Sequence, residues 1–177
     1  MIMHDMVLPR EFSGGRLRRL RPADLDSFQA YRAIPELGRY QGWSPRSAAD
    51  ALQFLSEMNQ ARLFTPGEWV QLGIADPETD SLVGDIGLYL SEDASTGEVG
   101  FTLQPSTQGR GIAGHAVKEA LQLLFTVTTV TRVLGVTDAR NIPSIRLLER
   151  LGFECVETRR VIYRAEGCSE KVYSLSK

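Results

Sequence analysis

The polar and apolar positions along the chain predict a run of alternating short elements. Arg16-Leu17-Arg18-Arg19-Leu20 alternates as a half-buried strand does, and Pro22 stops it. Asp24 to Ile34 carries Leu25, Phe28, Ala30 and Tyr31 at helical spacing, and Pro35 ends that helix. Ser44-Pro45 followed by Ser47 to Asp50 offers an N-cap, a first-turn proline and a capping-box spacing. A helix bearing Ala51, Leu52, Phe54, Leu55 and Met58 should follow, to about Leu63. Trp69 to Asp76 and Ser81 to Leu90 then read as strands joined by the turn Asp76-Pro77-Glu78-Thr79-Asp80, and Glu98 to Leu103 reads as a third. A glycine-rich loop over Gln104 to Ala113 leads into a helix from about Ile112 to Phe125, with Val117, Ala120, Leu121 and Leu124 on one face. Arg132 to Thr137 is a short strand, and Pro143 to Leu151 is a helix capped by Gly152. Phe153 to Tyr163 and Lys171 to Ser176 form a closing hairpin around Glu166-Gly167. The order β-α-α-β-β-β-α-β-α-β-β implies an α+β fold: one mixed, mostly antiparallel sheet of about seven strands, with helices on both faces.

Composition narrows the function classes. At 177 residues the chain is one domain's worth, 1–177, with no internal repeat or low-complexity block. Twenty basic against 22 acidic side chains leave no basic excess for nucleic-acid binding. No apolar run reaches the roughly 18 residues of a membrane helix. The start Met1-Ile2-Met3-His4-Asp5-Met6 lacks the basic and apolar stretches of a secretory leader, so a cytoplasmic location is expected. Cys155 and Cys168 make neither a disulfide framework nor a zinc pattern, and no metal is expected.

Chemistry is written most clearly in Gln108-Gly109-Arg110-Gly111-Ile112-Ala113-Gly114, between a strand and a helix. Its glycines permit positive φ, so successive amide N–H groups can converge on one point. Together with the helix N-terminus they make a phosphate or pyrophosphate site, to which Arg110 could add a cation. A plain glycine turn is the other reading. The segment also spells G-x-G-x-x-G, with Asp138 placed as a ribose-binding carboxylate. Gln104 to Gln108 intervene before the first glycine, however, and too little chain follows Asp138 to complete a doubly wound sheet.

The sequence resembles the GCN5-related N-acetyltransferases (GNAT), most closely the RimJ/RimL type. Gln108-Gly109-Arg110-Gly111-Ile112-Ala113 satisfies the family's Gln/Arg-x-x-Gly-x-Gly/Ala signature. Asn141-Ile142-Pro143-Ser144, running on to Leu151-Gly152-Phe153, matches its Asn-x-x-Ser…Leu-Gly-Phe run. Leu20-Arg21-Pro22-Ala23-Asp24 and Arg39-Tyr40-Gln41-Gly42-Trp43 are similar to this group as well. The resemblance implies splayed central strands with the pantetheine arm of acetyl-CoA between them. Backbone groups of the strand containing Phe101, Thr102 and Leu103 would pair with the arm, Gln108 to Gly114 would hold the pyrophosphate, Asn141 would bond the arm, and Ser144 would lie near the sulfur. It implies an acetyltransferase acting on a primary amine, a small molecule or a protein N-terminus, in a ternary complex, and is compatible with a homodimer. A non-catalytic acyl-CoA-binding module is the alternative.

Amine attack on a thioester needs a proton removed. At pH 7 this costs about 4.6 kcal/mol for a lysine amine but only about 1 to 1.4 for an α-amino group. Glu98, opening the strand along the cofactor, is the candidate base through a water; a solvated strand-end carboxylate is its other reading. Many relatives place an acidic tyrosine seven residues after the asparagine, where this chain has Leu148, so Ser144 is the substitute candidate; orienting a water or capping the helix is its other reading. The resemblance makes Tyr40 and Trp43 candidate acceptor-wall residues; core packing is their other reading. His115 reads as packing or solvent-facing, Cys155 as a core hydrophobe, Cys168 as part of a turn, and the Arg18–Arg21 patch as a solvated strand edge.

Overall fold

The structure, a computed structural model, describes residues 7–177; Met1 to Met6, on which the leader reading rests, lie outside them. The strands are β1 (Arg10–Phe12), β2 (Gly15–Arg19), β3 (Trp69–Ala75), β4 (Leu82–Leu90), β5 (Thr96–Leu103), β6 (Arg132–Asp138), β7 (Glu154–Tyr163) and β8 (Glu166–Ser176). The helices are α1 (Leu25–Arg32), α2 (Pro35–Gly38), α3 (Ala48–Gln60), α4 (Ile112–Val127) and α5 (Ile142–Arg150). All eight strands form one sheet in the order β1-β2-β3-β4-β5-β6-β8-β7, antiparallel except for β5 against β6. The α+β fold expected from the sequence is present, with one strand more than the seven anticipated.

That extra strand is β1. It pairs with β2 through the two-residue turn Ser13-Gly14, where Gly14 takes φ +89°. At three residues it is too short to show periodicity. The dinucleotide reading fails on topology, because this sheet contains a single parallel pair and no doubly wound crossover. The closing hairpin turns at Arg164-Ala165, both at positive φ, rather than at Glu166-Gly167, which begin β8.

Two apolar layers sandwich the sheet. On one face α4 buries Ala116, Val117, Ala120, Leu121, Leu123 and Leu124 against Leu72, Ile86, Leu88 and Val99. On the other, α1 and α3 close over Leu20, Phe28, Tyr31, Leu55 and Leu82. Ser47, not Ser44, caps α3, accepting the Asp50 N–H at 3.1 Å.

Two assignments of burial reverse. Arg18 is 2% exposed, its Nη1 and Nη2 each donating at 2.9 Å to Asp24, with Asp80 beside them. A local pattern registers such a residue as surface charge, while the pairing that permits burial comes from elsewhere. Cys155 is exposed, because β7 is an edge strand standing clear of both layers.

Candidate active site

The site begins where two strands part. β5 and β6 pair only at Thr96–Arg132, Gly97–Val133 and Glu98–Leu134, and diverge beyond Glu98. The Ser91 N–H bonds the Thr96 carbonyl and the Gln104 N–H bonds the Val83 carbonyl, which fixes the phase of the ladder. Even-numbered residues of β5 therefore bond to β4, and Phe101 and Leu103 turn their backbone groups to the gap. Gln41 Nε2 donates to the Phe101 carbonyl at 3.3 Å, and Gln108 Nε2 donates to that of Leu103 at 2.8 Å. Their N–H groups have no strand partner. Thr102, by the same phase, spends its backbone on Asp85 and lends the site only its side-chain face.

On the α4 face the gap opens into a cavity of about 480 Å³ walled by Phe101, Thr102, Leu103, Gln108, Gly109, Gly111, Ile112, Ala113, Gly114, Asn141 and Ser144. Gly109 and Gly111 are left-handed, φ +74° and +78°, and a Cβ on Gly109 or Gly114 would meet no atom within 4 Å. The first intrahelical bond runs from His115 N–H to the Gly111 carbonyl, 3.2 Å, so the amides of 112 to 114 have no partner inside the helix. Backbone donors and the dipole of a 16-residue helix thus converge on open space, a cradle that fits a phosphate-bearing ligand. Arg110 is absent from this wall. It is exposed and lies toward Asp76, whose carboxyl is held low mainly by the Thr79 and Glu78 N–H groups. The cation at the wall is Arg150 instead. His115 is exposed, its ring 3.9 Å from where a Gly111 Cβ would sit. Asn141 caps α5, its Oδ1 accepting the Ser144 N–H at 3.4 Å.

A neck of about 30 Å³ crosses the sheet, bordered by the hydroxyl-bearing Tyr40, Thr137 and Ser144. Leu148 also borders it, wedged against Gly135, where a Cβ would lie 2.7 Å from its Cδ2. Beyond is a second cavity, about 520 Å³, with Glu98 in its wall and aromatic sides that include Tyr40, Trp43, Phe54, Trp69 and Tyr163. Burial pushes the Glu98 carboxyl up, the charge of Glu170 adds to this, and Arg159 opposes it. Asp138 and Cys168 share this wall. Arg140 bonds hold the Asp138 carboxyl low, while burial and Asp138 raise the Cys168 thiol.

The sequence offered no sign of another cluster at this cavity. Arg32 Nη2 donates to the wholly buried Asp85 at 2.7 Å, and Tyr31 and Gln71 donate to the same carboxylate. The hairpin tip reaches across as well, with Arg164 Nη2 donating to the carbonyls of Gln41 at 3.3 Å and Trp43 at 2.6 Å. These partners lie 14 to 123 residues apart in the chain, outside the reach of any local motif.

Comparison with known proteins gives the family and the fold. A family model for the acetyltransferase (GNAT) domain matches residues 16–154. The uncharacterized N-acetyltransferase p20 of Bacillus licheniformis is 27% identical over 165 residues, covering 90% of each chain. Among solved structures, a GNAT-family acetyltransferase from Bacillus anthracis superposes with a TM-score of 0.84 at 18% identity, over 96% of this chain and 98% of that one. The RimL ribosomal α-N-protein acetyltransferase in complex with coenzyme A gives 0.78 at 12% identity, over 94% and 98%. The family model spans most of the chain and its cradle, and this chain accordingly belongs to the GNAT acetyltransferases, the acetyl-CoA-dependent acyltransferases.

Proposed function

We propose that the chain moves the acetyl group of acetyl-CoA onto a primary amine, the α-amino group of a peptide or protein N-terminus, by direct transfer in a ternary complex. The observation that carries this reading is the pair of cavities on opposite faces of the sheet, joined at a neck. Tyr40, Gln41 and Phe101 border both cavities and the neck. A RimL relative named for ribosomal α-N-protein acetylation supports the choice of amine.

Acetyl-CoA supplies an activated acyl thioester; the chain supplies position and proton handling. The amides of 109 to 114 hold the diphosphate, with Arg150 at the same wall. The N–H groups of Phe101 and Leu103 pair with the extended arm as a strand edge does. Holding both reactants at one neck removes much of the entropic barrier. Glu98 takes the amine's proton through a water, and its raised pKa makes it a better base than an ordinary carboxylate. An α-amine needs no stronger one, since its deprotonation at pH 7 costs only about 1 to 1.4 kcal/mol. Leu148 cannot donate a proton; the hydroxyls that border the neck are those of Tyr40, Thr137 and Ser144. A thiol with a pKa near 8.5 also leaves readily as its anion.

A thiol-release assay across peptides, polyamines and aminoglycosides tests the reading. Peptides with a free N-terminus should be acetylated and N-blocked ones should not. Coenzyme binding without turnover of any amine would contradict it.

A further inference from the structure

Leu148 reaches the neck from α5 as a plain hydrocarbon. The N-cap Asn141, Ser144 and Leu148, at spacings of three and four, form one stripe along α5, and all three border the neck. Leu148 is 2% exposed, and its side chain lies against β6 at Gly135, where a Cβ would sit 2.7 Å from Cδ2 and 3.1 Å from Cδ1. It has nowhere to retreat. The main chain of β6 stands behind it, and the Leu151 and Phe153 N–H groups bond its carbonyl at 3.1 and 3.0 Å. The Tyr173 hydroxyl donates to the adjacent Glu149 at 3.0 Å and ties α5 to β8.

Gly135 also marks the fork of the sheet. β5 and β6 last pair at Glu98–Leu134, so Val99 and Gly135 are the first residues past that pair, and both border the neck. An arm laid along β5 starts at the 109–114 cradle, passes Leu103 and then Phe101, and aims its acyl end at the fork. The neck measures about 30 Å³, room for roughly two water-sized groups. A methyl group and a carbonyl oxygen use that up. Each further carbon has to enter the fork, where Leu148 and the close-packed layer to which it belongs already stand.

We propose that Leu148 sets the length of acyl group that the chain accepts, closing the neck to acyl thioesters longer than acetyl. The stop is steric and apolar. Overfilling a packed wall by one or two methylenes costs a factor of about five to a hundred in affinity. The inference concerns the donor and stands whichever amine is acetylated.

Calorimetry with acetyl-, propionyl- and butyryl-CoA tests it, each Kd divided by that of free coenzyme A in the same variant, which cancels any general loosening of the site. Wild type should bind propionyl-CoA at least about fivefold more weakly than acetyl-CoA, and butyryl-CoA more weakly still. Leu148→Ala removes three carbons where butyryl adds two, and should recover at least about fivefold for butyryl-CoA relative to acetyl-CoA. Leu148→Val removes one carbon and should recover about fourfold for propionyl-CoA, the worth of one methylene. If circular dichroism shows the alanine variant unfolded, the valine variant decides. Thiol release with a peptide acceptor should show the same ratios in kcat/KM. Equal binding of all three thioesters by wild type, or ratios that Leu148→Ala and Leu148→Val leave unchanged, overturns the assignment. The binding ratios need no amine, so failure of every acceptor would contradict the proposed function and leave this test decisive.

Discussion

The two cavities are built from different materials. On the α4 face the grip is main chain: left-handed glycines, unpartnered amides and a strand edge whose N–H groups face the gap. Across the neck the wall is side chain, with aromatic rings, the Arg32–Asp85 pair and Glu98 contributed by helices, strands and the 40–46 loop. Main-chain donors suit a coenzyme that is the same in every turnover, because substitution barely alters them. Side chains suit the partner that distinguishes one acetyltransferase from another.

Breaking the main-chain half should cost most. Gly111→Glu forces a side chain into φ +78° and sets a carboxylate beside the cradle. Coenzyme A affinity by calorimetry should fall more than about a hundredfold, the sum of strain and lost anion binding, with the far-UV circular dichroism spectrum retained. Glu98→Gln leaves the shape and removes the base, so kcat should drop about a hundredfold, the lower end for a general base. As the proposed base, the Glu98 carboxyl must be ionised to act, and burial raises its pKa. The acidic limb of kcat/KM therefore lies above the ordinary carboxylate value of 4.5, activity is lost as pH falls through it, and the variant should lack that limb. Gly100→Val fills the bare floor of the proposed acceptor cavity. The peptide KM should rise about tenfold while the KM for acetyl-CoA holds, the split expected if the halves are separable. Arg164→Ala releases the hairpin tip from the Gln41 and Trp43 carbonyls, and the peptide KM should rise about threefold, the modest effect expected when two solvent-exposed charged contacts are lost.

The same division governs what could be read from the sequence. The coenzyme half is contiguous: Gln108 to Gly114 is one motif, Asn141 to Ser144 another, and the structure places both segments on one cavity. The strand and helix order followed from periodicity, which reports the buried face of each element. Periodicity is silent on which remote residues meet. Arg18 and Arg32 therefore read as surface or unremarkable charges until Asp24 and Asp85 are brought to them. Arg110 carries the charge inside the motif, yet Arg150 holds the wall, because a loop residue's direction depends on φ and ψ rather than on adjacency. Tyr40 and Trp43 were legible as wall candidates only through family resemblance. The hairpin turn was misplaced because Arg164 and Ala165 adopt positive φ without glycine.

The most direct test of the two-cavity account is a crystal structure of the enzyme with coenzyme A. The account predicts the diphosphate on the amides of 109 to 114, the arm along the β5 edge at Phe101 and Leu103, and the thiol at the neck facing the Glu98 cavity. A coenzyme seated outside the β5–β6 gap, or a thiol pointing away from that neck, would contradict it.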